Sequence, residues 1–88
     1  MTEDLKPGTQ IAYVPDHAEG DISHKDVEFG FVVRKSPYGA SYFCRYWYKG
    51  QLGNLRTISC SQLTREIHIV KIDKVLQGVV DSYLEELL

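Results

Sequence analysis

The chain has only two cysteines, three prolines, one methionine and one tryptophan, and no unbroken apolar stretch of membrane-spanning length. That last absence excludes a spanning helix, which needs about 20 apolar residues in succession. The two cysteines, Cys44 and Cys60, form no C-x-x-C pair and no zinc-knuckle spacing, and each falls inside a predicted strand. They are expected as free, buried thiols in a reducing cytosol, so the expected location is cytoplasmic. The acidic opening Met1-Thr2-Glu3-Asp4 has no apolar run after it, and no signal peptide is expected. Catalytic patterns are missing as well: there is no nucleophile elbow, P-loop or H-E-x-x-H. The chain is therefore expected to be non-catalytic and to need no cofactor.

What is present is a segregated charge. The net charge of −2 covers an acidic first third, in which residues 1–30 carry seven acids and two bases. Residues 31–74 reverse this with eight bases and two acids, and residues 75–88 add Asp81, Glu85 and Glu86. Duplex-binding proteins draw their affinity from neutralised phosphates and are usually basic overall, which this chain is not. Only its middle is.

The hydrophobic pattern predicts five short strands and a helix within one domain spanning residues 1–88. Thr9 to Val14 alternates after a Lys6-Pro7-Gly8 turn. Val27 to Val33 has period two, with Val27, Phe29, Phe31 and Val33 on the core face and Gly30 on the other, where it marks a bend or bulge. Ser36-Pro37-Tyr38-Gly39 is a β-turn, and Ser41 to Tyr48 is strongly β-forming. Leu55 to Cys60 reads as a fourth strand, Ser61 to Thr64 as a tight turn, and Glu66 to Ile72 as a fifth strand. From Asp73, a candidate N-cap, the period becomes helical: Val75, Val79, Tyr83 and Leu87 run beside Leu76, Val80, Leu84 and Leu88. Such a succession points to a small antiparallel barrel over residues 7–72 with a helix over 73–88 laid against it.

Pro7-Gly8-Thr9-Gln10-Ile11, followed by Gly30-Phe31-Val32, resembles the opening of SH3-like barrels. The longer run from Tyr13 to Val32 resembles a signature of small phage and prophage proteins, Y-V-P-x-H-A-x-G-D-x-x-H-x-D-x-E-x-G-x-V. Phe43-Cys44-Arg45-Tyr46 is similar to the aromatic-x-Arg-Tyr strand that follows in that family. The resemblance covers roughly residues 7–60, and the C-terminal helix departs from it. It implies mobile-element origin and a barrel fold, and it carries no catalytic role.

Two places can carry function. In the polar stretch 15–28, His17 and His24 lie seven apart with Asp16, Asp21, Asp26 and Glu28 nearby. These are competent metal ligands, but the spacing matches no standard site, and the Asp-x-Asp-x-Asp-Gly order of an EF-hand is absent. A loop held by its own hydrogen bonds is the expectation, with metal binding and partner contact as alternatives. The second place is strand 41–48. Arg45 resists unpaired burial, so its face, with Phe43 and Trp47, is expected to point outward. Arg34 and Arg56 extend that face into a basic-aromatic patch suited to a peptide or to stacked bases, unless the helix docks on it. If the helix docks elsewhere, its stripe is free for a second subunit. The expected partner is another protein or a second copy of the chain, with single-stranded nucleic acid as the alternative.

Overall fold

Alternating β-branched and aromatic residues produce four of the five strands, and pairing with a neighbour produces the remaining one. The computed structural model describes residues 4–48, 61–72 and 77–87. Its strands are β1 (Gln10–Tyr13), β2 (Glu28–Lys35), β3 (Ser41–Tyr46), β4 (Gln62–Arg65) and β5 (Ile69–Lys71), followed by helix α1 (Gln77–Leu87). Short 3₁₀ turns occupy Asp16–Ala18 and Glu66–His68. All pairings are antiparallel, in the order β4-β3-β2-β1-β5. The class is mainly β with a C-terminal helix, as the sequence pattern predicts.

Two expectations need correcting. The tight turn predicted at 61–64 is part of β4, whose polar residues take strand form because they pair with Ser41–Cys44. The predicted strand 66–72 is shortened to β5 by the 3₁₀ turn before it. The predicted strand 55–60 and the N-cap Asp73 lie outside the described residues.

Among the described residues the sheet is also open, not a closed barrel, because β4 and β5 end it without pairing to each other. The turn between them is occupied on both sides. Glu66 donates its N–H to the Ala40 carbonyl, and the His68 carbonyl accepts from Val14 N–H, both at 2.8 Å. Yet the sheet must curl tightly. Laid flat, its end strands would stand about 19 Å apart, whereas the link from Arg65 to Ile69 reaches about 14 Å at full extension. The curl encloses a cleft of about 380 Å³ between β4 and Tyr13, Glu28, Tyr46 and His68.

The curl gives the sheet a concave and a convex face. Ile11, Val32, Tyr42, Cys44 and Tyr46 are buried together on the concave side, with Leu5, Tyr13 and Ile69 packed against them. Gly30 belongs to this side, contrary to the expectation that it marks the bulge. It lies under Tyr46, where a side chain would collide with the Arg45 carbonyl oxygen and the Tyr46 ring. The bulge comes later, where the β2–β3 register shifts between Val32 and Arg34. Arg34 then pairs with Phe43, and Lys35 with Tyr42. This shift moves Arg34 to the convex side and places the Lys35 ammonium 4.9 Å from the Tyr42 ring centroid.

Helix α1 covers part of the convex face. Phe31, Val33, Trp47 and Val80 are buried there, with Phe29, Val79, Tyr83 and Leu84 packed against them. The rings of Phe31, Trp47 and Tyr83 meet at centroid separations of 5.6, 5.7 and 6.3 Å. β2 is thus buried on both sides, which accounts for its nearly continuous apolar run. The Pro7-Gly8 turn lies under the same helix. Gly8 has φ of +89°, and a Cβ there would stand 2.9 Å from Leu84 Cδ1. Among the described residues, no helix is long and apolar enough to cross a membrane.

Candidate functional site

Helix α1 leaves the β3–β4 half of the convex face uncovered. Side chains alternate along a strand, so Phe43 and Arg45 of β3 share this side with Leu63 and Arg65 of β4. Phe43 stands directly opposite Leu63, and Ser41 opposite Arg65. The Arg34 guanidinium lies over the Phe43 ring, 4.2 Å from its centroid, within cation–π range. Leu63 is 52% exposed on a strand that, among the described residues, pairs with β3 alone. The result is an apolar centre with cations around it, beside a strand edge that no other described strand extends.

The sequence expectation is met here in part. Arg34, Phe43 and Arg45 do come together on the convex side. Trp47 does not join them. It is 1% exposed beneath α1, and its indole N–H has no hydrogen-bond partner among the described residues. The helix docks on the Trp47 end of the face and leaves Phe43 half-buried outside that cluster. The same docking takes up Val79, Val80, Tyr83 and Leu84 of the stripe considered for a second subunit, while Leu87 stays exposed and Val75, Leu76 and Leu88 lie outside the described residues. Arg56 lies outside the described residues. Leu63 and Arg65 were missed because Ser61 to Thr64 reads as a tight turn in the sequence, and Leu63 is the single apolar residue of β4.

The second constellation is the loop between β1 and β2, which is held by its own backbone. Ala18 N–H donates to Pro15 O, Asp21 N–H to Ala18 O, His24 N–H to Asp21 O and Val27 N–H to His24 O, all at 2.9–3.1 Å. Glu19 takes a left-handed conformation at φ 51° to close the 3₁₀ turn. Beneath, Ala18 and Val27 are buried with Ala12 and Val14. On this platform His17 Nε2 lies 2.6 Å from Asp26 Oδ2, and Asp26 N–H donates to His24 Nδ1 at 3.1 Å. The two imidazoles meet edge to face, 5.3 Å apart. The hydrogen bond from His17, and to a lesser degree the charges nearby, hold the Asp26 carboxyl below the usual carboxylate range.

The other loop candidates turn elsewhere. Asp21 Oδ1 accepts from the Ser23 hydroxyl at 2.6 Å and from its amide at 2.9 Å, and these bonds lower its carboxyl pKa. Glu28 opens β2 and lines the cleft at the open seam with Tyr13 and Tyr46. His68 is half-buried and pairs with Asp16 at 3.1 Å. Inside the curl, burial pushes the Cys44 thiol up to about 11 and raises the Tyr46 hydroxyl as well. A thiol so placed is neutral at physiological pH and behaves as a small apolar group.

No protein-family model, curated protein or solved structure matches the chain.

Proposed function

We propose that the chain is a non-catalytic protein-binding module of mobile-element origin, whose contact surface is the uncovered β3–β4 half of the convex face. The observation that carries this reading is the grouping of Arg34, Phe43, Leu63 and Arg65 beside the edge of β4 that no other described strand pairs with. An extended segment of a partner can add a strand to that edge, its main chain pairing with β4. Its apolar side chains then rest on Leu63 and Phe43, and its carboxylates meet Arg34 and Arg65, neither of which is ion-paired among the described residues. The expected partner is therefore an acidic, extended stretch of another protein.

Single-stranded nucleic acid fits this surface less well. Base stacking needs open ring faces. With Trp47 under the helix, Phe43 is the ring left on this patch, and Arg34 lies across it.

Selection of random peptides displayed on phage against the immobilised full chain tests the proposal. Enrichment of sequences alternating Asp or Glu with apolar residues, lost when the bait carries Leu63→Asp and Arg65→Glu, supports it. Enriched peptides that bind this double variant equally well overturn it. So does tight, salt-sensitive binding of a fluorescent oligonucleotide combined with no peptide enrichment.

A further inference from the structure

We infer that His17, His24 and Asp26 form a binding site for one divalent transition-metal ion, with zinc as the best-matched species. A ring nitrogen from each histidine and a carboxylate oxygen of Asp26 lie within 4.8 Å of one another. Zinc binds nitrogen and oxygen at about 2.0–2.2 Å, so neighbouring ligands of a tetrahedral centre stand about 3.3 Å apart. Two of the separations straddle that value: 2.6 Å from His17 Nε2 to Asp26 Oδ2, and 4.0 Å from His24 Nδ1 to the same oxygen. Side-chain rotations that lengthen the first and shorten the second bring these atoms towards that spacing.

The donors sit on a prepared surface. His17 belongs to the 3₁₀ turn, His24 follows the Asp21–Ser23 turn, and Asp26 precedes buried Val27. The loop thus presents them through its backbone hydrogen bonds. His24 Nδ1 accepts the Asp26 amide, so this nitrogen carries a lone pair, which an ion would take over from the amide. On binding, the ion takes the place of the proton shared by His17 and Asp26, and solvent takes over the Asp26 amide. Two neutral imidazoles and one carboxylate suit a borderline ion such as zinc better than magnesium or calcium, which favour all-oxygen shells. The side chains of His17 and Asp26 are 61% and 47% exposed, which leaves the fourth position to water or to a ligand from a partner.

The test uses the full chain, tag-free and stripped with a chelator, titrated with zinc chloride in competition with a chromogenic chelator. The expected result is one zinc per chain, with affinity lowered at least tenfold by His17→Ala and by His24→Ala and unchanged by His68→Ala. The third histidine is the internal control, because it also pairs with an aspartate but has no second imidazole at hand. In the unsubstituted chain, zinc must shift the ring-nitrogen NMR signals of His17 and His24 and leave those of His68 in place. That measurement holds even if a variant fails to fold. Absence of saturable 1:1 binding, or equal binding by the His24→Ala chain, overturns the site.

Discussion

The ring of Tyr46 rests on the bare backbone of Gly30. A Cβ built on Gly30 would stand 2.9 Å from Tyr46 Cδ1 and 2.8 Å from its Cα. Across the strand, Gly30 pairs with Tyr46 itself and with Ile11 of β1, so this contact sits at the middle of the sheet. Gly30→Ala is expected to destabilise the chain by about 1–3 kcal/mol, the range for overpacking a tight interior. Urea unfolding followed by circular dichroism measures it. A substitution tolerated without loss would mean that the ring and backbone can separate freely.

The single tryptophan reports on helix docking. Val80 is fully buried against Trp47 and Phe31. Val80→Asp should detach α1, shifting the fluorescence of Trp47 to longer wavelength as water reaches it. Val80→Ala is expected to keep the helix in place and to cost about 1–3 kcal/mol from the cavity it leaves. Emission unchanged in Val80→Asp would contradict the docking.

Alkaline pH should weaken the concave core. Burial raises the Cys44 thiol from about 9 to about 11, so its neutral form is favoured in the folded chain. A group whose folded pKa is raised contributes stability that is full below its unfolded value and lost as pH climbs through the folded one. The unfolding midpoint is therefore expected to fall between pH 9 and 11. Cys44→Ala should flatten part of that fall, the remainder belonging to Tyr46, which is raised in the same direction. Denaturant midpoints measured across this range decide it.

Thr64 holds the other end of that tyrosine. The hydroxyls of Tyr46 and Thr64 are hydrogen-bonded in a buried position across β3 and β4. Thr64→Val preserves shape and removes the partner, leaving a buried hydroxyl unpaired at a cost of about 1–3 kcal/mol. Tyr46→Phe in the same background should recover part of the loss, which a double-mutant cycle would show.

Most of the architecture was legible because period two and period four are strong signals. β2, β3 and the stripe of α1 follow from them directly. β4 was not legible: Gln62-Leu63-Thr64-Arg65 has no apolar run, and it is a strand only because β3 offers an edge. The bulge at Val32–Arg34 was equally hidden, since the alternation Phe31, Val33 continues through it. The shared face of Arg34, Phe43 and Arg45 was legible, since a cation on a strand forces its neighbours outward. It failed at Trp47, because periodicity gives the side of a strand and says nothing of what covers each end. The loop cluster followed its residue types, but sequence spacing alone could not separate Asp26, which meets both histidines, from Asp21, which turns to Ser23.

The pairing of β1 with β5 also bears on the order in which the molecule is made. Ile11 finds its partner in Lys71, nearly the whole length of the domain later. A ribosome delivers β1, β2 and β3 early, so their meander can assemble while the rest is still being synthesised. Until the last strand and helix emerge, β1 has a bare edge and Trp47 faces solvent. Closure therefore awaits the synthesis of β5 and α1, and a chain cut before them is left with an unpaired edge on β1 and an uncovered indole. Such a product is an obvious target for chaperones and proteases.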